Sequence, residues 1–476
     1  MAESVDERES LGHAMFNGAR LGDRRRAARA AKVFDALRQH PGGTLPDKLA
    51  APADLKALYR LCACEQVTHQ ALLASIRAHA LGKLAAHEET ILFIHDATEL
   101  NYTSRKAMAE ELGQVARGLG TGFICQNVLA VHAASGDVLG LMDQILHRRA
   151  RVAKNEKPAE RRARNSRESR LWAAGTRHLP VGKRYVDVAD QGADAFEFIE
   201  HAQRSGRTFV IRVHHARKLQ RGHDGAHPVQ PLSQCAAGLP ELGRFTIDVQ
   251  PQKNRPARRN AAFVIRGGDV LVHPPHFRAG DHGKAALALY LVTVTEEAPP
   301  AGAKPIVWQL LTNQPVATLQ DAQRVTSWYE RRWIVEEFHK AQKTGCGIEN
   351  LQFTAAARLE PAIALLSAVA LTLLDLRDAS RRPDAHTRPA TQIIDHEYVT
   401  VLTAWRFGKP RLEISVHDFY LALARLGGHQ NRRHDHPPGW LVLWRGWEKL
   451  QLMVDGARIA NLRHQRDLNQ TNNKCA

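Results

Sequence analysis

Residues 329 to 343 read YERRWIVEEFHKAQK, and this run constrains the chain more than any other. Wound as an α-helix at about 100° per residue, it puts Tyr329 roughly 20° to one side of Glu336, Arg332 about 40° to the other and Lys343 about 20° away. His339 and Lys340 lie near the same stripe. Ile334, Phe338 and Ala341 follow one another at i, i+4 and i+7, the apolar stripe expected of a helix packed on a core. One face is therefore expected to anchor the helix and the other to work. A carboxylate among cations stays ionised, so Glu336 suits metal binding better than acid catalysis. The bland alternative is a solvated face laced with i, i+4 ion pairs, and the rest of the chain has to decide between them.

With 476 residues, 44% of them hydrophobic, the chain is long enough for several domains with proper cores. Its 66 Lys and Arg against 49 Asp and Glu leave a net charge of +17. That bias points to a polyanionic partner, nucleic acid before an anionic membrane surface. The first residues, MAESVDERES, carry neither a basic stretch nor an apolar one, so no secretory signal is expected and the protein is expected in the cytosol. Ala362 to Leu374 is the most apolar run. It is too short to span a bilayer, and it reads as a buried helix with no membrane partner. Cys62, Cys64, Cys125, Cys235, Cys346 and Cys475 give one C-x-C pair without a matching second pair, which argues against a cysteine zinc site. His214-His215, His223 with His227, and His273 with His276 show no full ligand pattern and read as surface histidines. Asp-Gly-Ala and Pro228 place the 223 and 227 pair in a loop.

Residues 1 to about 70 read as helical and basic. Asp23 is positioned to cap a helix through RRRAARAAKVFDALRQH, a second helix is expected near Ala53 to Cys62, and Arg24, Arg25, Arg26 and Arg29 cluster where a bound phosphate would offset their poor fit to the helix dipole. From about residue 88 strand signals take over. Ile91 to Ile94 reads as a buried strand ending at His95-Asp96, and Val128 to Ala133 with Val138 to Leu146 reads as a hairpin around Ser135-Gly136-Asp137. Arg148 to Arg170 is a charged helix or loop. Arg184 to Ala189 reads as a strand delivering Asp190, followed by a helix and a strand at Thr208 to Val213. Residues 214 to 303 read as a β-rich insertion, Ile306 to Thr312 as a further strand, and the chain beyond Gly345 as mainly helical, with Trp440, Trp444 and Trp447 near the end. The fold class is α/β (α+β) and multidomain, a mixed sheet flanked by helices.

Asp96, Asp190 and Glu336 thus sit at strand ends or on a helix face, with basic residues around them. Three such carboxylates can hold two hard divalent cations, which in phosphoryl transfer stabilise both the attacking and the leaving oxygen. At this point the chain resembles the DDE transposases of the insertion-sequence-four family, with greatest similarity to the transposon-five branch. Tyr329, Arg332, Glu336 and Lys343 match that family's Tyr-x2-Arg-x3-Glu-x6-Lys signature, and Asp96 in IHDATEL and Asp190 in VADQGAD match its two aspartates. LGDRRRAAR near residue 21, KNRPARR at 253 to 259, ARLGG at 424 to 428 and LWRGWEKLQ at 443 to 451 extend the similarity over nearly the whole chain.

The resemblance implies a ribonuclease-H-like catalytic domain over residues 71–355, an end-binding domain over 1–70 and a helical dimerisation region over 356–476. It implies that Asp96, Asp190 and Glu336 hold two Mg²⁺ ions, with Mn²⁺ as a substitute. The partner would be double-stranded DNA, as terminal inverted repeats and as target, bound by a homodimer in a synaptic complex. Cut-and-paste transposition through a hairpin intermediate is implied, in a bacterial cytoplasm at the nucleoid. Trp308 matches a tryptophan on which a flipped base stacks, and Arg212, Tyr329 and Arg332 match residues that steady the flipped nucleotide and its phosphates. Lys343, His339 and Lys340 join them as phosphate contacts. The chain departs from the family at Gln191-Gly192, in the very basic stretch 147 to 170 and in the histidine-rich insertion. Two other readings compete: a catalytically inactive end-binding protein or regulator, and a general metal nuclease indifferent to DNA ends.

Overall fold

The computed structural model describes residues 10–49, 51–150, 155–157, 160, 167–249, 259–275, 282–432, 435 and 437–472, with side chains to residue 461 in the last helix. The described residues form two compact units interleaved in sequence. One takes in Met1–Val33, Ala57–Glu336 and Leu351–Ala364, the other Phe34–Lys56, Glu337–Asn350 and Leu365–Ala476.

The first unit is built on one sheet of twelve strands. They are β1 (Ile91–Asn101), β2 (Gly113–Val115), β3 (Gly120–His132), β4 (Val138–His147), β5 (Tyr185–Ala189), β6 (Thr208–Arg212), β7 (Lys218–Arg221), β8 (Gln230–Pro231), β9 (Glu241–Val249), β10 (Arg259–Val272), β11 (Leu287–Glu297) and β12 (Val307–Thr312). β1 is the hinge of the arrangement. It runs antiparallel to β3 along its whole length and parallel to β5 only from Ile91↔Tyr185 to His95↔Ala189. β5 is parallel to β6, and β12 returns antiparallel on the far side of β6. The core order β4-β3-β1-β5-β6 is that of a ribonuclease-H-like sheet, with helices over it.

Ile91, Leu92, Phe93 and Ile94 are all buried, as a strand covered on both faces requires. Ile91 and Phe93 pack with Val128, Ala130 and Met142 and with Ala80 and Leu84 of the helix His69–Ala85. Each large side chain so buried is worth about 1.5–3 kcal/mol. Polar groups that share this interior are paired. Asp187 of β5 accepts from His95 Nε2 at 2.8 Å and from Arg207 Nε at 2.5 Å, and all three residues are buried. Burial alone would raise the Asp187 pKa, yet His95 and Arg207 outweigh it and hold the carboxyl below its ordinary value.

In the second unit the helices His396–Phe407, Val416–Leu426 and Trp440–Asn472 share a core that includes Val399, Leu402, Phe419, Leu423, Leu443 and Leu450. The ARLGG and LWRGW segments have a steric reason. A Cβ on Gly427 would lie 2.0 Å from the Val442 carbonyl oxygen, and one on Gly446 would lie 2.1 Å from that of Leu423. Only glycine lets these two backbones touch. Trp447 stacks on Tyr398 at 5.1 Å and Trp440 on Trp444 at 5.7 Å. The apolar run at Ala362 to Leu374 falls mainly in the helix Ala356–Thr372. The segment Ala356–Ser380 is long and apolar enough to cross a membrane, but 67% of its most apolar window is buried inside the protein, as in a core helix.

Several sequence expectations hold. Asp23 caps the helix Arg24–Gln39, its Oδ1 accepting from Arg25 N at 2.7 Å, and a helix spans Pro52–Cys62. The hairpin turns at Gly136 with φ +79°, and His223 and His227 lie in a loop. One expectation about the strands needs correction. The first strand does not stop at Asp96 but continues to Asn101, because β3 goes on pairing with it after β5 has left. The β-rich insertion expected over residues 214 to 303 is present as β7 to β11, and the β11–β12 pairing joins it to the sheet. KNRPARR, except Arg259, His276, Cys475 and much of Arg148 to Arg170 lie outside the described residues.

Replacing Asp187 by Ala would leave the buried guanidinium of Arg207 without its partner, at a cost of about 3–5 kcal/mol. Chemical denaturation should show that loss in full near neutral pH. Because the Asp187 pKa is depressed on folding, its contribution is complete above about pH 4 and falls away as the pH drops through the folded value. The gap between wild type and Asp187→Ala should therefore narrow in acid.

Candidate active site

Asp96 and Asp190 each come directly after the last residue of the parallel β1–β5 ladder, His95↔Ala189. Adjacent strands lie about 4.8 Å apart, so the two carboxylates emerge side by side where β5 ends. Beyond β5 the chain turns at once into a single 3₁₀ turn, Gln191–Ala193, and Asp190 caps it, its Oδ1 accepting from Gly192 N at 2.7 Å. Gly192 has a definite reason to be glycine: a Cβ there would lie 2.9 Å from the Trp172 ring and 3.0 Å from Asp190 Oδ1.

The third carboxylate comes from the Tyr329 to Lys343 run, which is not one continuous helix. It is a helix Leu319–Glu330, a tight turn through Arg331 and Arg332, a helix Trp333–Lys340 and a π-turn Ala341–Gly345. In the tight turn Arg332 N, Ile334 N and Val335 N each donate to the carbonyl three residues back. Three residues per turn there, and a wider turn at the π segment, shift the angles from the ideal wheel. The apolar stripe survives, with Ile334, Phe338 and Ala341 buried. So does the pairing of Arg332 with Glu336.

Arg332 is the link between the acids. Its guanidinium donates to Asp96 Oδ2 at 3.3 Å and to Glu336 Oε1 at 2.7 Å, it is only 7% exposed, and its Nε finds no acceptor. Burial pushes the Asp96 carboxyl up to about 7, and the charges of Asp190 and Glu336 push the same way against Arg332 and the Ala97 N–H. The cations around Glu336 in the sequence suggest that this acid stays ionised, whereas at Asp96 burial and the neighbouring carboxylates favour the protonated form.

On the other side of Arg332 stand the aromatic residues. Tyr329 is buried and meets Trp308 of β12 edge to face, ring centres 5.4 Å apart. Burial raises the Tyr329 phenol pKa, while the charges of Arg332 and Arg212 and a hydrogen bond with Arg212 oppose it. Arg212, on β6, also donates to the Val307 carbonyl at 3.3 Å. The structure thus gathers Asp96, Asp190, Glu336, Arg332, Tyr329, Trp308 and Arg212. His339, Lys340 and Lys343 belong to the second unit. There His339 is buried against Phe338, Lys340 is exposed, and Lys343 lies 3.8 Å from Glu349. Sequence reasoning does not single out Trp333; it is 56% exposed with the Arg332 guanidinium 4.8 Å from its ring centre. Its position right after Arg332 is the one signal that could have found it.

The donor set fits a hard divalent cation. It consists of carboxylate oxygens, one of them partly buried and short of compensating positive charge, and oxygen is what Mg²⁺ and Mn²⁺ prefer. Arg332 lies between Asp96 and Glu336, a spread that a pair of ions about 4 Å apart accommodates.

Residues 160–373 match the family of transposase DDE domains. The chain carries a transposase DDE domain. Residues 9–67 match the family of transposase DNA-binding domains, so a DNA-binding domain precedes the DDE domain. The DDE match takes in β5, β6, the insertion strands and β12, and with them Asp190 and Glu336. Asp96 lies before it in sequence and reaches the site through the β1–β5 ladder.

Three substitutions test this geometry. Gly192→Ala would press a methyl group between Trp172 and Asp190, and strain of this kind costs typically about 1–3 kcal/mol. DNA cleavage should fall well beyond what the loss in thermal stability explains. Glu336 and Glu337 should separate cleanly. Glu337 pairs with the buried Arg377 in the second unit, so Glu337→Ala should lower the denaturation midpoint, by less than the roughly 3–5 kcal/mol of a fully broken buried pair because Asp378 still pairs with Arg377. Glu336→Gln should leave that midpoint nearly unchanged and abolish cleavage.

Proposed function

We propose that this protein is a cut-and-paste DNA transposase of the insertion-sequence-four type, allied to the transposon-five branch. The observation that carries the reading is the Arg332 guanidinium bonded to both Asp96 and Glu336 beside Asp190. In the reading, residues 1–70 bind the terminal inverted repeats, 71–355 carry the chemistry and 356–476 join two copies into a synaptic homodimer in the bacterial cytoplasm.

Asp96, Asp190 and Glu336 would hold two Mg²⁺ ions, which Mn²⁺ can replace, and these supply an activated water and stabilise the attacking and leaving oxygens. Water then cuts one strand at the transposon end. The freed 3′-hydroxyl attacks the opposite strand to close a hairpin, a second water reopens it, and the same 3′-hydroxyl is joined to target DNA. Arg332, already oriented by two carboxylates, can turn its remaining N–H groups to a phosphate, with Arg212 steadying the Tyr329 hydroxyl beside it. Lys343, His339 and Lys340 add phosphate contacts. Trp308, half-buried with its edge against Tyr329, offers a face for a base expelled as the hairpin closes. Such stacking returns about 1–3 kcal/mol per base, of the order of what unstacking costs.

The test is an end-labelled duplex carrying the repeats that flank the gene, incubated with protein and Mg²⁺. Nicked, hairpin and joined products should appear in turn and vanish in Glu336→Ala. Salt-sensitive binding without any nicking would leave an end-binding regulator, and cutting of repeat-free DNA at the same rate a general nuclease. Trp308→Ala should spare the first nick and slow the hairpin step at least tenfold.

A further inference from the structure

We propose that His87, Glu89 and His132 form a site for a borderline divalent transition-metal ion of the Zn²⁺ class, separate from the acidic site. The three residues meet at the other end of β1. His87 and Glu89 lie in the segment entering that strand, and His132 ends β3, directly opposite Ile91. Asp96 is five residues further along β1, roughly 17 Å away at strand rise. Glu89 Oε2 lies 3.9 Å from His87 Nδ1 and 3.8 Å from His132 Nε2, and the three ligand atoms are all within 4.8 Å of one another. A tetrahedral ion about 2.0–2.1 Å from each ligand would set them about 3.3 Å apart. The closure needed is small, and Glu89, 65% exposed in its side chain, is free to make it.

One observation at His132 points to a ligand. Its Nε2 is buried and has no hydrogen-bond partner, although it faces the Glu89 carboxylate. Its Nδ1 is 2.9 Å from Ser135 Oγ and 3.2 Å from Ser135 N. The Ser135 N–H donates to Nδ1, which leaves the ring proton on Nε2; an ion taking Nε2 would displace that proton, and Nδ1 would then carry one and donate it to Ser135 Oγ, the outer hydrogen bond that metal-binding histidines generally make. The nearby cation does not compete for the cavity, because the Arg184 guanidinium is bonded to the His87 carbonyl and the Tyr185 hydroxyl. Two imidazoles and one carboxylate favour Zn²⁺, Co²⁺ or Ni²⁺ over Mg²⁺, whose preference is for oxygen alone. The remaining position faces solvent through His87 and Glu89, and the bound ion ties the entry of β1 to the β3–β4 hairpin.

The experiment uses the full-length protein, stripped with a chelator and titrated with Co²⁺ under excess Mg²⁺, which fills the acidic site. Visible absorption should saturate at one Co²⁺ per chain, be displaced by Zn²⁺ and persist in Glu336→Gln. Affinity should fall at least tenfold in His132→Gln and in His87→Ala, the latter at a half-exposed position outside the core, and roughly tenfold in Ser135→Ala. Absorption and affinity unchanged in His87→Ala and His132→Gln, or lost in Glu336→Gln instead, would overturn the proposal, as would the absence of Co²⁺ absorption in the wild-type protein.

Discussion

The parallel pairing of β1 with β5 is the constraint on which the candidate active site rests. It ends at His95↔Ala189, and the next residue along the chain from each of these is an aspartate. Parallel strands of such short pairing hold register weakly by themselves. Here His95, Asp187 and Arg207 lock β1 and β5 through buried charge and hydrogen bonds. A slip of one residue would break that network and also turn every side chain of the strand to the other face. The same interior that fixes the register also desolvates Asp96, so the stability of the sheet and the electrostatics of the site have a common origin.

Much of this is legible in the chain itself. The continuous apolar run of β1, the hairpin around Gly136 and the β5 strand before Asp190 all arise from local pattern. Neighbouring residues on a helix lie about 100° apart, so Glu336 and Glu337 face different partners. Glu336 meets Arg332, while Glu337 turns to Arg377. The features hidden from the sequence depend on pairing between distant segments. The helix His69–Ala85 buries His69, Leu72, Leu73, Ile76, Ala80 and Leu84 along one face, but the buried face includes a histidine and the other faces carry alanines and Leu81, so the sequence shows little contrast between them. The run of β1 past Asp96 depends on β3, and the merging of the insertion with the sheet on the β11–β12 ladder. The raised pKa of Asp96 is hidden for a related reason, since cations can be counted in a sequence and burial cannot. His87 and His132, forty-five positions apart in the chain, likewise meet only in the folded sheet.

Arg332 gives the site a double character. Without DNA its guanidinium offsets part of the charge of Asp96 and Glu336, so three acids can stand together before any cation arrives. With DNA in place the same group is close enough to the acids to serve a phosphate at the position of reaction. The chain's excess of 17 positive charges draws in the polyanion at long range, but the short contacts of one buried arginine would decide where its backbone comes to rest. Trp308 and Tyr329, packed on the opposite side of that arginine, place an aromatic surface next to the proposed point of cleavage.

The most direct measurement is iron-directed cleavage of the polypeptide, with Fe²⁺, ascorbate and peroxide added to the full-length protein. The account predicts cuts next to Asp96, Asp190 and Glu336 that excess Mg²⁺ suppresses and that Asp96→Asn greatly weakens. Absence of cuts at those three positions, or cuts there that neither Mg²⁺ nor the substitution affects, would contradict it.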